Sequence, residues 1–333
     1  MNIKSKLMGA AAGFAMLTGA NAAYAMDEIT VAYFLEWPMP FQYAKATGLY
    51  EEAMGVDINW VAFDAGTAMS AAMASGDVQI SVSQGVPPFV VAASAGQDLL
   101  AVDVAVSYAE NDNCVVADTL EIDASTVSEL NGKKVGVPIG TAAHYGFLKQ
   151  MEHFGVDIST MEIVDMAPAD GQAAFAQGSL DMVCGWGGAL RRMLEDGNVL
   201  LTGAEKEELG ILVFDVTSVP ADFAAEESEL LAKFLKVTAD MNTLWNSGEK
   251  KAEMLEVIAK DAGMDLADAE ASLATFTFPD VDDQLAAKWL GGGAQTFMGG
   301  VADVFQNAGS IPSKLDSYED AVDVSHLEAA KGL

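Results

Sequence analysis

Ile29-Thr30-Val31-Ala32-Tyr33-Phe34 opens the stretch on which the fold turns. Its β-branched and aromatic residues read as a strand, and Glu36-Trp37-Pro38-Met39-Pro40 breaks that strand into a loop. Residues 41–54 then read as a helix ending near Gly55, and Val56 to Phe63 as a second strand. Asp64-Ala65-Gly66-Thr67 leads into an apolar helix over 68–75. Asp77 to Val82 reads as a third strand, Ser83-Gln84-Gly85 as a turn, and Pro87 to Gly96 as a helix. Strands alternating with helices predict an α/β fold on an open parallel sheet. Ligands of such sheets bind beyond the carboxyl ends of the strands. The loops at 36–40, 64–67 and 83–86 are therefore expected to share one rim of a cleft.

The pattern changes after residue 96. Leu99 to Tyr108 and Cys114 to Ala117 read as strands flanking the polar run Glu110-Asn111-Asp112-Asn113, where a crossing to a second lobe is expected. Strands at 134–138, 161–164 and 180–185 alternate with helices through about 154 and over 169–177, repeating the β-α-β logic. Phe214 to Val219 reads as a strand returning to the first lobe, and amphipathic stretches at 225–245, 249–262 and 283–308 make the remainder helical. The expected organisation is a first lobe over 26–112, a second over 113–213, and a return to the first lobe with C-terminal helices over 214–333. Ahead of these lie Lys4 and Lys6, an apolar run from Leu7 to Leu17, and Ala23-Tyr24-Ala25. That order is the pattern of a cleaved export signal over residues 1–25, with the cut after Ala25.

Composition narrows the function classes. The chain has 333 residues, 51% of them hydrophobic, which suits a folded protein of two lobes. Its formal net charge is −32. Such a surface repels nucleic-acid phosphates and anionic lipid heads, so no nucleic-acid partner is expected. The three histidines His144, His153 and His326 show no ligand spacing with the two cysteines, so no metal site is expected. Cys114 and Cys184 are either a disulfide, as an oxidising compartment would favour, or two separate buried thiols. No G-x-S-x-G, H-E-x-x-H or phosphate-binding loop is present, and Gly291-Gly292-Gly293 does not follow a strand. The reading is a binding protein without catalytic activity or cofactor.

Several segments resemble the taurine-binding proteins of ABC importers, within the wider group of sulfonate, nitrate and pyrimidine-precursor binders. They are Val31-Ala32-Tyr33, Phe63-Asp64-Ala65-Gly66, Ala74-Ser75-Gly76-Asp77-Val78-Gln79-Ile80, Val91-Ala92-Ala93-Ser94, and Gly132-Lys133-Lys134-Val135-Gly136-Val137-Pro138. His144-Tyr145, Val183-Cys184-Gly185-Trp186 and Phe214-Asp215-Val216 continue the series in order. The resemblance implies a periplasmic binding protein of the type II-like, two-lobed fold, with two strands crossing between lobes. It further implies a small zwitterionic or sulfonated ligand, a permease and an ATPase in the inner membrane as partners, and a monomer.

An amino-sulfonate needs two kinds of group. The anionic end suits helix N-termini, whose free N–H groups and dipole favour negative charge. Gly66-Thr67, Gln84-Gly85 and Thr141-Ala142 stand where such turns are expected, although ordinary helix capping would use the same residues. The cationic end needs a carboxylate. Asp215 lies in an otherwise apolar strand and matches an acidic position of the taurine binders. Glu36 offers a second acceptor, Trp37 and Trp186 offer aromatic walls, and His144 matches the family's His-Tyr pair. The loop Phe34-Leu35-Glu36-Trp37-Pro38 is bulkier and more acidic than expected of these binders, and Trp186-Gly187-Gly188 is more open. Those departures admit a second reading, the same fold binding another zwitterionic or quaternary amine such as a betaine.

Overall fold

The computed structural model describes residues 26–333. The export signal and its cut after Ala25 lie outside the described residues. Among those described, no helix is long and apolar enough to cross a membrane.

Among the described residues, ten strands form two five-stranded sheets. In chain order they are β1 (Glu28–Phe34), β2 (Asp57–Phe63), β3 (Ile80–Gly85), β4 (Leu99–Ser107), β5 (Asp112–Ala117), β6 (Lys134–Val137), β7 (Glu162–Asp165), β8 (Met182–Trp186), β9 (Gly197–Val199) and β10 (Phe214–Pro220). The first sheet has the order β2-β1-β3-β10-β4 and the second β7-β6-β8-β5-β9. In each, three consecutive strands run parallel and a fourth lies antiparallel beside them. That fourth strand, β10 or β5, arrives from the other lobe. The sheets are therefore mixed, not wholly parallel as the β-α-β pattern predicts, because a strand that enters from outside runs against its neighbours. The first crossing is a single 3-10 turn, Ala109–Asn111, and the second carries a short helix, Gly203–Glu208. The two crossings meet: the Ala204 N–H donates to Glu110 Oε1 at 3.2 Å, and Lys206, 1% exposed, donates from Nζ to the Asp112 carbonyl.

Three expectations move. The third strand is displaced from 77–82 to Ile80–Gly85. Gly76, at φ +81°, and the side chain of Gln79, which accepts from the Thr30 N–H at 2.8 Å, hold 76–79 in a turn. Ser83 and Gln84, polar enough to suggest a turn, are buried in the strand with their side chains hydrogen-bonded. The helix at 41–54 is two, Phe41–Thr47 and Leu49–Met54, parted by Gly48 at φ +74°. The apolar stretch 283–308 yields a long helix only over Gly293–Asn307, because residues 286–292 turn.

The C-terminal helices serve both lobes. In Ser228–Ser247, Phe234 stacks on Tyr50 at 4.6 Å beneath the first sheet. In Gly293–Asn307, Phe297 packs edge-on to Tyr145 at 5.5 Å and Phe305 lies parallel to His144 at 5.1 Å. Tyr145 and His144 belong to the second-lobe helix Ala142–Phe154, and Phe297 also packs on Phe214 of β10 at 5.3 Å, so this helix touches both lobes.

Cys114 and Cys184 face each other directly across β5 and β8 and form a disulfide, which decides between the two sequence readings. It closes a 70-residue separation within the second lobe. Replacing both cysteines by serine is expected to lower unfolding free energy by up to about 4 kcal/mol on the chain-entropy relation. Urea denaturation of the variant against the oxidised parent measures the difference.

Candidate functional site

Between the lobes lies a small, partly open pocket. Its walls come from strand ends and helix starts. Phe34 closes β1 and Trp37 follows it; Gly85 closes β3; Asp112 opens β5; Trp186 closes β8; Asp215 sits in β10. Gly66, Pro88, Thr141 and Ala142 belong to the beginnings of helices, and Tyr108 stands at the first crossing.

Asp215 is the centre of a buried network. Its carboxylate accepts from Ser83 Oγ at 2.6 Å and from the Tyr108 hydroxyl. Ser83 Oγ in turn accepts from Trp37 Nε1 at 2.8 Å. The Trp37 ring is wedged between Tyr108 and Phe276, each 4.6 Å away. Burial pushes the Asp215 carboxyl up to about 8; the Ser83 and Tyr108 hydrogen bonds work against that rise, and the nearby Asp112 adds to it. Asp112, 2% exposed, is pushed up to about 7 by burial, with Lys206 opposing. Asp112 Oδ2 is buried without a hydrogen-bond partner. Two carboxyls thus face one cavity, one of them with an acceptor still to fill.

Helix starts line the same pocket. Gly66–Ala74 and Ala142–Phe154 present free first-turn N–H groups beside Gly66, Thr141 and Ala142. The helix after Gly85 contributes less than expected, because Pro87 and Pro88 have no N–H to offer. The pocket therefore combines carboxyls with backbone N–H donors.

Of the residues singled out from the sequence, Trp37, Gly66, Gly85, Thr141, Ala142, Trp186 and Asp215 line the cavity. Four do not. Glu36 turns to the cleft mouth, where its carboxylate pairs with Arg192 at 3.1 Å. Thr67 faces the other lobe, its methyl close to Gly140. Gln84 is fully buried behind the wall, donating to Gly66 O and Ser70 Oγ and accepting from Ser218 Oγ. His144 accepts the Gly140 N–H at 3.2 Å, and burial holds its imidazole down at about 4, hence neutral. It shapes the 138–142 turn rather than touching the cavity. Sequence reasoning misses Asp112, Tyr108, Phe34 and Pro88. Asp112 stands in what reads as a solvated polar run; an acid two residues before Cys114 on a strand is the only available signal.

Both raised carboxyls bind their protons more tightly in the folded chain than in the unfolded one. Between about pH 4 and pH 8 the folded state holds more protons, so stability is greatest on the acid side and falls as pH rises through this window. Urea denaturation at pH 5, 6.5 and 8 is expected to follow that slope. Asp215→Asn should reduce the slope without abolishing it, because Asp112 and the buried Asp103, pushed up to about 6, remain, and an unchanged slope in that variant would remove Asp215 as a contributor.

Comparison with known proteins bears on this geometry. Residues 38–240 match the family described as NMT1/THI5 like. The chain is 27% identical over 298 residues to the taurine-binding periplasmic protein of Escherichia coli (strain K12), covering 88% of this chain and 91% of that protein. Among solved structures, the fold matches the alkanesulfonate-binding protein SsuA from Xanthomonas axonopodis pv. citri bound to MOPS, with a TM-score of 0.73 and 21% identity over 90% of this chain and 100% of that one. It also matches the periplasmic aliphatic sulphonate binding protein SsuA from Escherichia coli, with a TM-score of 0.69 and 22% identity over 88% of this chain and 96% of that one. The family match takes in Gly66, Gly85, Tyr108, Asp112, Thr141, Ala142, Trp186 and Asp215 and spans well over half of the residues, and on that ground the chain belongs to the NMT1/THI5 like family.

Proposed function

We propose that this protein is the periplasmic solute-binding component of an ABC importer and that its ligand is taurine or a similar small amino-sulfonate. One observation carries the choice of ligand class: two buried carboxyls, Asp112 and Asp215, share one small pocket with the starts of two helices. A ligand with an ammonium at one end and a sulfonate at the other meets both. The relative named as a taurine-binding periplasmic protein supports the sulfonate class, the cellular compartment and the transport setting. A permease and an ATPase in the inner membrane are the partners that this reading requires.

The ammonium is the discriminating group. A primary amine brings three N–H donors, enough for Asp215 and for the unpartnered Asp112 Oδ2. A quaternary ammonium brings none and would leave that oxygen unsatisfied, at a desolvation cost of about 1–3 kcal/mol. The betaine reading also needs Glu36, which is engaged with Arg192 at the mouth. Taurine is thus favoured over a betaine. Capture would proceed by closure of the lobes about the two crossings.

Isothermal titration with taurine, ethanesulfonate and glycine betaine tests the proposal. Taurine is expected to bind, ethanesulfonate weakly and betaine not at all. Asp215→Asn should weaken taurine about 30-fold or more, the usual cost of removing one partner from a buried charge pair. Equal losses for taurine and ethanesulfonate would count against the amine role. Because an ammonium needs the ionised carboxylate, taurine binding should release protons and tighten from pH 6 toward pH 8. The gain should reach at most about tenfold per pH unit for each carboxyl deprotonated on binding.

A further inference from the structure

The cleft mouth is built from one segment of each lobe. On the first lobe stands the loop after β1, with Glu36 at φ +53° and its N–H donating to the Ala262 carbonyl at 2.8 Å. On the second stands the start of the helix Gly187–Met193. The bulk of the one is matched by the absence of side chains on the other. A Cβ on Gly187, itself at φ +56°, would stand 3.0 Å from the Glu36 carbonyl oxygen and 3.2 Å from the Trp37 ring. A Cβ on Gly188 would collide with the Glu36 carboxylate. The same helix carries Arg191 and Arg192. Arg192 forks onto the Glu36 carboxylate at 3.1 and 3.4 Å. Arg191 reaches the helix Leu266–Leu273, donating to Ser272 Oγ at 2.7 Å and the Asp268 carbonyl at 3.1 Å, with the Asp268 carboxylate at 3.4 Å.

We infer that this glycine notch and its two arginines form a latch that holds the lobes shut over the cavity and sets how long a ligand is retained. The inference rests on the proposed capture function for its purpose, but its geometry concerns the lobes alone. Glu36 and Arg192 lie on opposite lobes, outside the cavity, and touch no cavity-facing polar group. Their pairing is satisfied only when the lobes meet, and so is the fit of the loop into the notch. Both side chains are about 40% exposed, so the pair is screened by salt. The latch therefore acts on the closed population and on departure of the ligand, leaving recognition to Asp112, Asp215 and the helix starts.

Two measurements test this on the purified full chain. Stopped-flow dissociation of taurine, read by Trp37 and Trp186 fluorescence, is expected to be about two- to fivefold faster in Arg192→Gln, the range for a partly exposed ion pair. In 1 M sodium chloride the parent should approach the variant. Gly188→Ala should release taurine about two- to fivefold faster, because its methyl displaces the Glu36 carboxylate from Arg192, and adding Arg192→Gln to it should change the rate little further. Small-angle scattering of the protein without taurine should give a larger radius of gyration for both single variants than for the parent. Dissociation rates and scattering equal to the parent's at low salt would overturn the latch. If taurine fails to bind the parent, the ligand assignment falls, and the scattering comparison still decides the latch.

Discussion

A carboxylate taken out of water is the constraint around which the cleft is arranged. Asp215 arrives on the strand that inserts between β3 and β4, with almost none of its surface exposed. Removing such a group from solvent is costly unless neighbours replace the lost hydrogen bonds. Ser83 and Tyr108 do so, and each fixes something else in turn. Ser83 takes an unusual backbone conformation at φ +68°, where the pairing of β10 with β3 slips, and accepts the Trp37 indole. Tyr108 sits where the chain leaves for the second lobe and packs edge-on to the same indole. One acid thus ties together a strand end, the first rim loop and the hinge.

The exchange of strands makes that arrangement possible. Each sheet borrows its antiparallel strand from the connection to the other lobe, so the hinge is built into both cores. Asp112 is the first residue of the borrowed β5 and pairs across it with Trp186; both face the cavity. Two residues further along the same strands, on the same side, Cys114 and Cys184 are bonded. Lys206 reaches from the second crossing to the carbonyl of Asp112. The position of the second carboxyl is therefore set by the disulfide on one side and by the hinge lysine on the other. Movement of the lobes would be felt at the cavity through these few residues.

Part of the cleft is legible in the amino-acid sequence alone. Trp37, Gly66, Gly85, Thr141, Ala142, Trp186 and Asp215 stand at strand ends or helix starts, or interrupt an apolar strand, and each of those positions is a local pattern. Other residues mislead for reasons equally local. Ser83 and Gln84 look like a turn because polar residues usually face water, yet both are buried and satisfied by partners 14 to 134 positions away. Glu36 looks like a ligand acceptor because nothing in its own loop reveals Arg192, 156 residues downstream. Asp112 looks solvated because its neighbours in sequence are polar, yet the fold seals it from water.

The sequence by itself determined the periodicities, and with them the α/β class, the placing of most strands and helices, and the strand ends where a cleft must lie. These follow from short-range sterics and from the spacing of apolar residues, which act within a few positions of the chain. Only the tertiary structure decided which way β5 and β10 run, that Cys114 meets Cys184, that Asp112 joins Asp215 in the cavity, and that Glu36 commits its charge to Arg192 at the mouth. Each of these depends on desolvation and pairing between groups far apart in the chain. Their energies do not exist until the lobes have brought those groups together.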